Sequence, residues 1–278
     1  MKTVYIEKVD KPRFSIRKIK IEKDSYRTYI DFQKEKNIKK LIKKLVKDEV
    51  SNVVLSKELY DEKKLINALN AYNINIFDGR WLEKYLALQI LDFVIIQKNI
   101  KKEETEIAVT LNQITDLSIS IIKILAKQYK KLTIVTEHIE KLQKVEQEIY
   151  DKDGILIIIS NNQKKSLLKA QIILNMDFNK EVLNRYKINE TATIINLEGY
   201  MKIEEKRFNG ININNYEIEV GREEVIWRTN MQNFRTKDLL EANLYMKDTF
   251  ESICSKIKKC NVSIKELYGI NGKIERFF

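Results

Sequence analysis

The sequence predicts an α/β protein with doubly wound, mainly parallel sheets arranged in two lobes. Three observations carry that prediction. The strands are unbroken runs of Ile, Val and Leu, such as "ILIIIS" (155–160), which a strand requires when helices cover both faces of its sheet. Apolar strands alternate with amphipathic helices along most of the chain, the rhythm of βαβ units with right-handed crossovers. The chain has 278 residues, 44% of them hydrophobic, enough for a substantial core and two lobes of ordinary size.

The elements follow in order. "FSIRKIKIE" and "SYRTYIDF" alternate in polarity around "KDS" and predict an N-terminal β-hairpin. A helix over 34–49 sets Ile38, Leu41, Ile42, Leu45 and Val46 at helical spacing and leaves Lys39, Lys40, Lys43, Lys44 and Lys47 opposite. "NVVLS" (52–56) and "INIFD" (74–78) read as strands around a helix over 61–72, and 80–99 reads as a long helix. Its apolar part, Tyr85–Gln97, is too short for a bilayer and carries Asp92, so it predicts a buried core helix. The polar "NIKKEETE" (99–106) is the linker candidate. It divides a lobe over 1–100 from a second over 101–278.

In the second lobe, strands at 107–111, 132–136, 155–160, 171–176 and 191–197 alternate with helices near 113–130, 137–151, 163–169 and 179–187. Asn209-Gly210 predicts a β-hairpin over 199–221, because tight hairpin turns favour residues that accept positive φ. Residues 236–259 read as one long C-terminal helix, with Leu239, Leu240, Met246, Phe250, Ile253 and Ile257 along one face.

The formal charge of +11 would ordinarily suggest an anionic partner. Ile, Lys and Asn dominate throughout, with seven glycines and one proline, the mark of AT-rich coding. What survives that discount is the distribution: residues 1–50 hold 16 Lys and Arg against 8 Asp and Glu. Arg13, Arg17, Lys18, Lys20 and Arg27, with Lys39 and Lys43, are therefore the candidate nucleic-acid surface, with Tyr5, Tyr26 and Tyr29 interleaved. Cys254 and Cys260 form no C-x-x-C pair, and the opening "MKTVYIEKVDKPRF" has no signal-peptide core. A reducing cytoplasm is the expected setting, with no membrane partner.

In an open α/β sheet a ligand lies beyond the carboxyl ends of the strands, where strand order reverses. Those positions hold Asn112, then Thr136, Glu137 and His138, then Ser160, Asn161 and Asn162, then Asn175 and Asp177, then Asn196 and Glu198. The same residue types cap helices, and Ser160 with Gln163 has capping-box spacing. His138 is the only histidine, which excludes a histidine-based metal cluster or a second acid–base histidine. No G-x-S-x-G and no G-K-[ST] occurs.

"KLTIVTEHIEKLQKVEQEIY", followed by "KAQIILNMD", resembles the second and fourth strand regions of the nucleotide domain of shikimate dehydrogenases and glutamyl-tRNA reductases. The likeness covers about residues 107–198, a third of the chain. It implies a Rossmann-like domain, NAD(P) as cofactor, Thr136, Glu137 and His138 beside the adenosine ribose, and Asn175 with Asp177 towards the nicotinamide. The first half would be a substrate domain, to which the 236–259 helix returns. One departure is large. The pyrophosphate loop of such domains needs glycines for its tight turn and its close approach to phosphate. The glycines here are at 79, 154, 199, 210, 221, 269 and 272, and the first turn of the domain reads Leu111-Asn112-Gln113-Ile114-Thr115. Nor is there a match to the catalytic Lys and Asp of the first family or the nucleophilic Cys of the second.

The sequence therefore predicts a Rossmann-like binding or regulatory protein with no catalytic residue, metal or cofactor assigned. Any ligand is expected in the cleft between the lobes, near Asn112, Thr136, Glu137, Ser160 and Asn175. The alternatives are an NAD(P)-dependent oxidoreductase relative with a modified cofactor site, and nucleic-acid binding through the basic N-terminal region. The small-molecule ligand and the oligomeric state stay open.

Overall fold

A computed structural model describes residues 2–9, 19–22, 25–28, 30–204, 208–221, 231–245 and 249–277. The chain divides into two compact units: Met1–Leu82 with Gly221–Lys247, and Glu83–Val220 with Asp248–Phe278. The division differs from that expected at 99–106. It falls inside a helix, and the segment 221–247 belongs to the first unit.

The first unit holds a five-stranded sheet of β1 (Lys2–Lys8), β2 (Ile19–Glu22), β3 (Ser25–Thr28), β4 (Val50–Leu55) and β5 (Asn75–Phe77), in the order β2-β3-β1-β4-β5. β2 and β3 pair antiparallel, the predicted N-terminal hairpin, while β1, β3, β4 and β5 run parallel. α1 (Glu35–Lys47) and α2 (Lys63–Ala71) connect the later strands. α1 buries Ile38, Leu41, Ile42 and Leu45, each contributing roughly 1.5–3 kcal/mol of apolar burial. Val46, expected on that face, is 49% exposed.

The second unit begins within α3 (Arg80–Lys98), which buries Leu86, Ile90, Leu91, Val94 and Ile95. Among the described residues no helix is long and apolar enough to cross a membrane. Six parallel strands follow: β6 (Glu106–Thr110), β7 (Lys131–Val135), β8 (Ile158–Ser160), β9 (Ile172–Asn175), β10 (Thr193–Asn196) and β11 (Ile211–Ile213). Their order is β11-β10-β9-β6-β7-β8. Counted from β6 as the first strand, that is the 3-2-1-4-5-6 order of a Rossmann sheet, and it reverses between β6 and β9. α4 (Asp116–Gln128), α5 (Ile139–Asp153) and the short α6 (Lys180–Leu183) lie between strands. The α/β, doubly wound, Rossmann-like fold is thus as the sequence predicts.

Three local expectations are overturned. No helix forms over 163–169: Asn162 Oδ1 accepts the N–H groups of Lys164 and Lys165, and these local bonds hold the segment in turns. Among the described residues, no hairpin forms over 199–221. β11 joins the large sheet in parallel, and β12 (Asn215–Val220) pairs antiparallel with β13 (Val262–Gly269), which also holds β14 (Gly272–Lys273). Gly210 is not a turn glycine; a Cβ there would lie 2.0 Å from the Ala192 carbonyl oxygen, so close backbone approach is its role. Finally, the single C-terminal helix is two. α7 (Thr236–Leu244) belongs to the first unit and α8 (Phe250–Lys259) to the second. Thr249 starts α8 by accepting the Ser252 N–H, an N-cap that ends any continuous run.

Candidate functional site

The crevice of a Rossmann sheet opens where β6 and β9 lie side by side, beyond their carboxyl ends. Here the turn after β6 leads into α4, capped by a reciprocal Thr115–Ser118 box. Upstream of that cap lie the N–H groups of Asn112 and Gln113, just past β6. Both are taken by one side chain: Asp177, just past β9, accepts from Asn112 N at 2.6 Å through Oδ1 and from Gln113 N at 2.6 Å through Oδ2. Two oxygens each accepting an N–H is the geometry of an ionised carboxylate. Burial pushes the Asp177 carboxyl above its ordinary range, against the pull of the two N–H groups, Lys84 and His138.

Asn112 reaches the other way. Its Nδ2 donates to Glu137 Oε2 at 2.9 Å, while its Oδ1 accepts from Glu137 N at 2.9 Å and from Thr136 Oγ1 at 3.4 Å. Arg185 pairs with the second Glu137 oxygen at 3.2 Å. So Asn112, Thr136 and Glu137 form one hydrogen-bonded cluster. Thr136 does not cap α5 itself; His138 is the cap residue, and its N–H donates to Thr136 Oγ1.

The other two predicted positions stand apart. Ser160 ends the edge strand β8, where its hydroxyl meets Ser166 Oγ at 2.7 Å and accepts from Asn162 N; with no helix after it, the expected capping box is absent. Asn175 is fully buried. Its oxygen accepts from Thr110 Oγ1 and Phe178 N, and its amide donates to Phe178 O and Asn196 Oδ1. That saturates all four positions of an asparagine side chain. Asn196 continues the row to Asn212 and Asn214. This polar ladder ties the strand ends together and leaves nothing on Asn175 for a ligand.

The first unit holds a cluster that the sequence reading missed. In α7, Lys237, Asp238 and Glu241 are all buried, at 1%, 0% and 3% exposure. Glu241 accepts the N–H groups of Gly79 and Trp81, closing the turn between β5 and α3. Gly79 has φ +89°, and a Cβ there would lie 2.7 Å from Lys237 Cδ, so glycine is required on both counts. Tyr60 Oη lies 2.9 Å from the Phe77 carbonyl oxygen and 2.7 Å from Asp238 Oδ2. A phenol has one proton, so both bonds form only if Asp238 carries one of its own. Burial first, with the charge of Asp78 adding to it, pushes Asp238 up to about 7 and Glu241 up to about 8. Asp238 Oδ1 has no hydrogen-bond partner among the described residues. Arg235 stacks over the Tyr60 ring at 3.6 Å.

Of the basic candidates, Arg13, Arg17 and Lys18 lie outside the described residues, as does Tyr29. Lys20 and Arg27 fall in β2 and β3, and only their backbone is described. Lys39 and Lys43 are exposed on α1, with Lys39 paired to Glu35 at 2.9 Å. Tyr26 is 1% exposed and bonded to Asp48, so it offers no face for base stacking, contrary to the expectation. Cys254 and Cys260 are free thiols. No group of His, Cys, Asp and Glu among the described residues is placed to hold a metal ion.

No protein-family model matches the chain, and no curated protein matches it. Among solved structures it is similar to L-tryptophan dehydrogenase from Nostoc punctiforme, at 6% identity and a TM-score of 0.32, over 66% of this chain and 53% of that one. It is also similar to ligand-free aspartate transcarbamoylase from Trypanosoma cruzi, at 10% identity and a TM-score of 0.28, over 61% of this chain and 62% of that one. The chain spans less than two thirds of either enzyme's length. Both likenesses are partial in shape and remote in sequence.

Proposed function

We propose that the chain is a binding or regulatory protein whose Rossmann sheet is a scaffold, with its dinucleotide crevice closed from within. One observation carries this reading: the Asp177 carboxylate lies across the Asn112 and Gln113 N–H groups at 2.6 Å each. Those are the main-chain donors that a diphosphate would use. Hydrogen bonds to a charged group contribute roughly 1.5–3 kcal/mol each when dry, and less where water reaches the donors, so displacing the half-buried Asp177 loses about 1.5–3 kcal/mol. At about 1.4 kcal/mol per tenfold, dinucleotide affinity falls by roughly one to two orders of magnitude. Asp116 in the first turn of α4 adds further negative charge where the ligand is itself anionic. The side chains of Gln113, Ile114 and Thr115 stand where the fold's dinucleotide-binding members have glycine.

Fluorescence titration with NADH and NADPH, and calorimetry with NAD and NADP, test this on the full chain. The expected result is no saturation up to about 1 mM. A dissociation constant below about 10 μM would overturn the reading and put the oxidoreductase account first.

A further inference from the structure

We infer that a groove over β7 and β8 is a docking site for an acidic amphipathic helix of a partner protein. This rests on the second unit alone and is independent of whether the crevice takes a dinucleotide. A fully parallel sheet is ordinarily covered by helices on both faces, because its strands are apolar on both sides. α4 and α5 supply such cover in the crossovers from β6 to β7 and from β7 to β8. The crossover from β8 to β9 supplies none, since 161–171 runs as turns, with Ser166 N–H bonded to the Asn162 carbonyl at 2.9 Å. A groove of about 690 Å³ lies there, lined by Leu132, Thr133, Leu156 and Ile158 among others.

Two features identify what would fill it. The floor is apolar and open: Leu156 is 75% exposed, and Ile158 is 62% exposed although it sits in the sheet opposite Thr133. Each fully buried side chain of this kind is worth roughly 1.5–3 kcal/mol. The rim is basic: Lys130, Lys131, Lys165 and Lys169 line the groove and are exposed. Lys131 pairs with Glu106 at 3.0 Å, and the other three have no acidic partner among the described residues. A helix with apolar residues at i, i+3, i+4 and i+7 and acidic flanks matches both features. Strand addition fits less well, since β8 offers an edge of only three residues. A nucleic-acid strand would use the lysines and leave Leu156 and Ile158 uncovered.

Selection of a displayed library of helical peptides, about 20 residues long, against the full chain tests the inference. Enriched peptides are expected to carry Leu or Ile at helical spacing flanked by Asp and Glu. A synthetic peptide of that sequence should lose at least about tenfold in affinity for Leu156→Ser/Ile158→Ser and for Lys165→Glu/Lys169→Glu. It should bind Lys39→Glu/Lys43→Glu on α1 as it binds the parent. No enrichment, enrichment of uncharged or basic peptides, or indifference to the groove variants would each overturn the inference. So would a concentration-dependent dimer in sedimentation that Ile158→Ser dissolves, which assigns the groove to a second copy. A single-stranded oligonucleotide whose binding is abolished by Lys165→Glu/Lys169→Glu would overturn it in favour of nucleic acid.

Discussion

Each unit contains a strand–helix turn in which one of the chain's own carboxylates holds two of the main-chain N–H groups. In the first unit Glu241 takes Gly79 and Trp81, between β5 and α3. In the second, Asp177 takes Asn112 and Gln113, between β6 and α4. The chemistry is the same and the surroundings differ. Glu241 is 3% exposed and has buried Lys237 and Asp238 for neighbours. Asp177 is half-buried, with the exposed Glu137 joined to it through Asn112. A strand–helix turn can therefore be held by a buried carboxylate, an internal weld, or by a half-buried one, which on the proposed reading is a closed site.

The comparison predicts that removing the weld unfolds and removing the closure opens. Glu241→Ala leaves the Gly79 and Trp81 N–H groups without that acceptor, and a loss of about 2–6 kcal/mol is expected in urea unfolding. Glu241→Gln, which keeps an acceptor, should recover part of it. A loss below about 1 kcal/mol would show the weld to be idle.

The pH dependence follows from the same cluster. Asp238 and Glu241 are raised to about 7 and about 8 by burial first, so between their ordinary values and these the folded state binds protons that the unfolded state does not. Unfolding free energy should then fall as pH rises from about 5 through 8, by up to about 1.4 kcal/mol per pH unit for each group. Asp238→Asn should flatten its share of that slope. A stability that rises over this range would contradict the assignment.

Asp177→Ala should lose less than Glu241→Ala, about 1.5–3 kcal/mol, because water reaches the freed donors. Asn112→Ala, which breaks the clamp on Thr136 and Glu137, is expected to lose about 1 kcal/mol in the same measurement. Arg185→Ala removes a partly exposed ion pair with Glu137 and should change stability by less than about 1 kcal/mol.

The sheet order rests on features that were legible in the sequence: apolar strands, alternating helices and polar strand ends. The absence of glycine at the first turn was legible too. What replaced it was not, because no local pattern says that Asp177 folds back 65 residues to Asn112. The Asn209-Gly210 pair suggested a turn on local grounds, whereas Gly210 answers to the Ala192 carbonyl of a neighbouring strand. Lys237, Asp238 and Glu241 escaped notice for a similar reason. Charge on a helix is ordinarily read as a solvent face, and only tertiary packing reveals that α7 is buried on its charged side as well. The turns at 161–171 have a local signal in Asn161-Asn162, a residue type that favours turns, although the alternation of strands and helices along the chain points to a helix there.

The most direct measurement is the melting temperature of Asp177→Ala beside the parent protein, in rising sulfate against chloride of equal ionic strength. If the carboxylate occupies an anion site, sulfate should raise the variant's melting temperature more than the parent's, by binding its folded form, while the parent shows only the general stabilisation that sulfate gives folded chains. Equal responses in the two proteins would mean that Asp177 closes nothing.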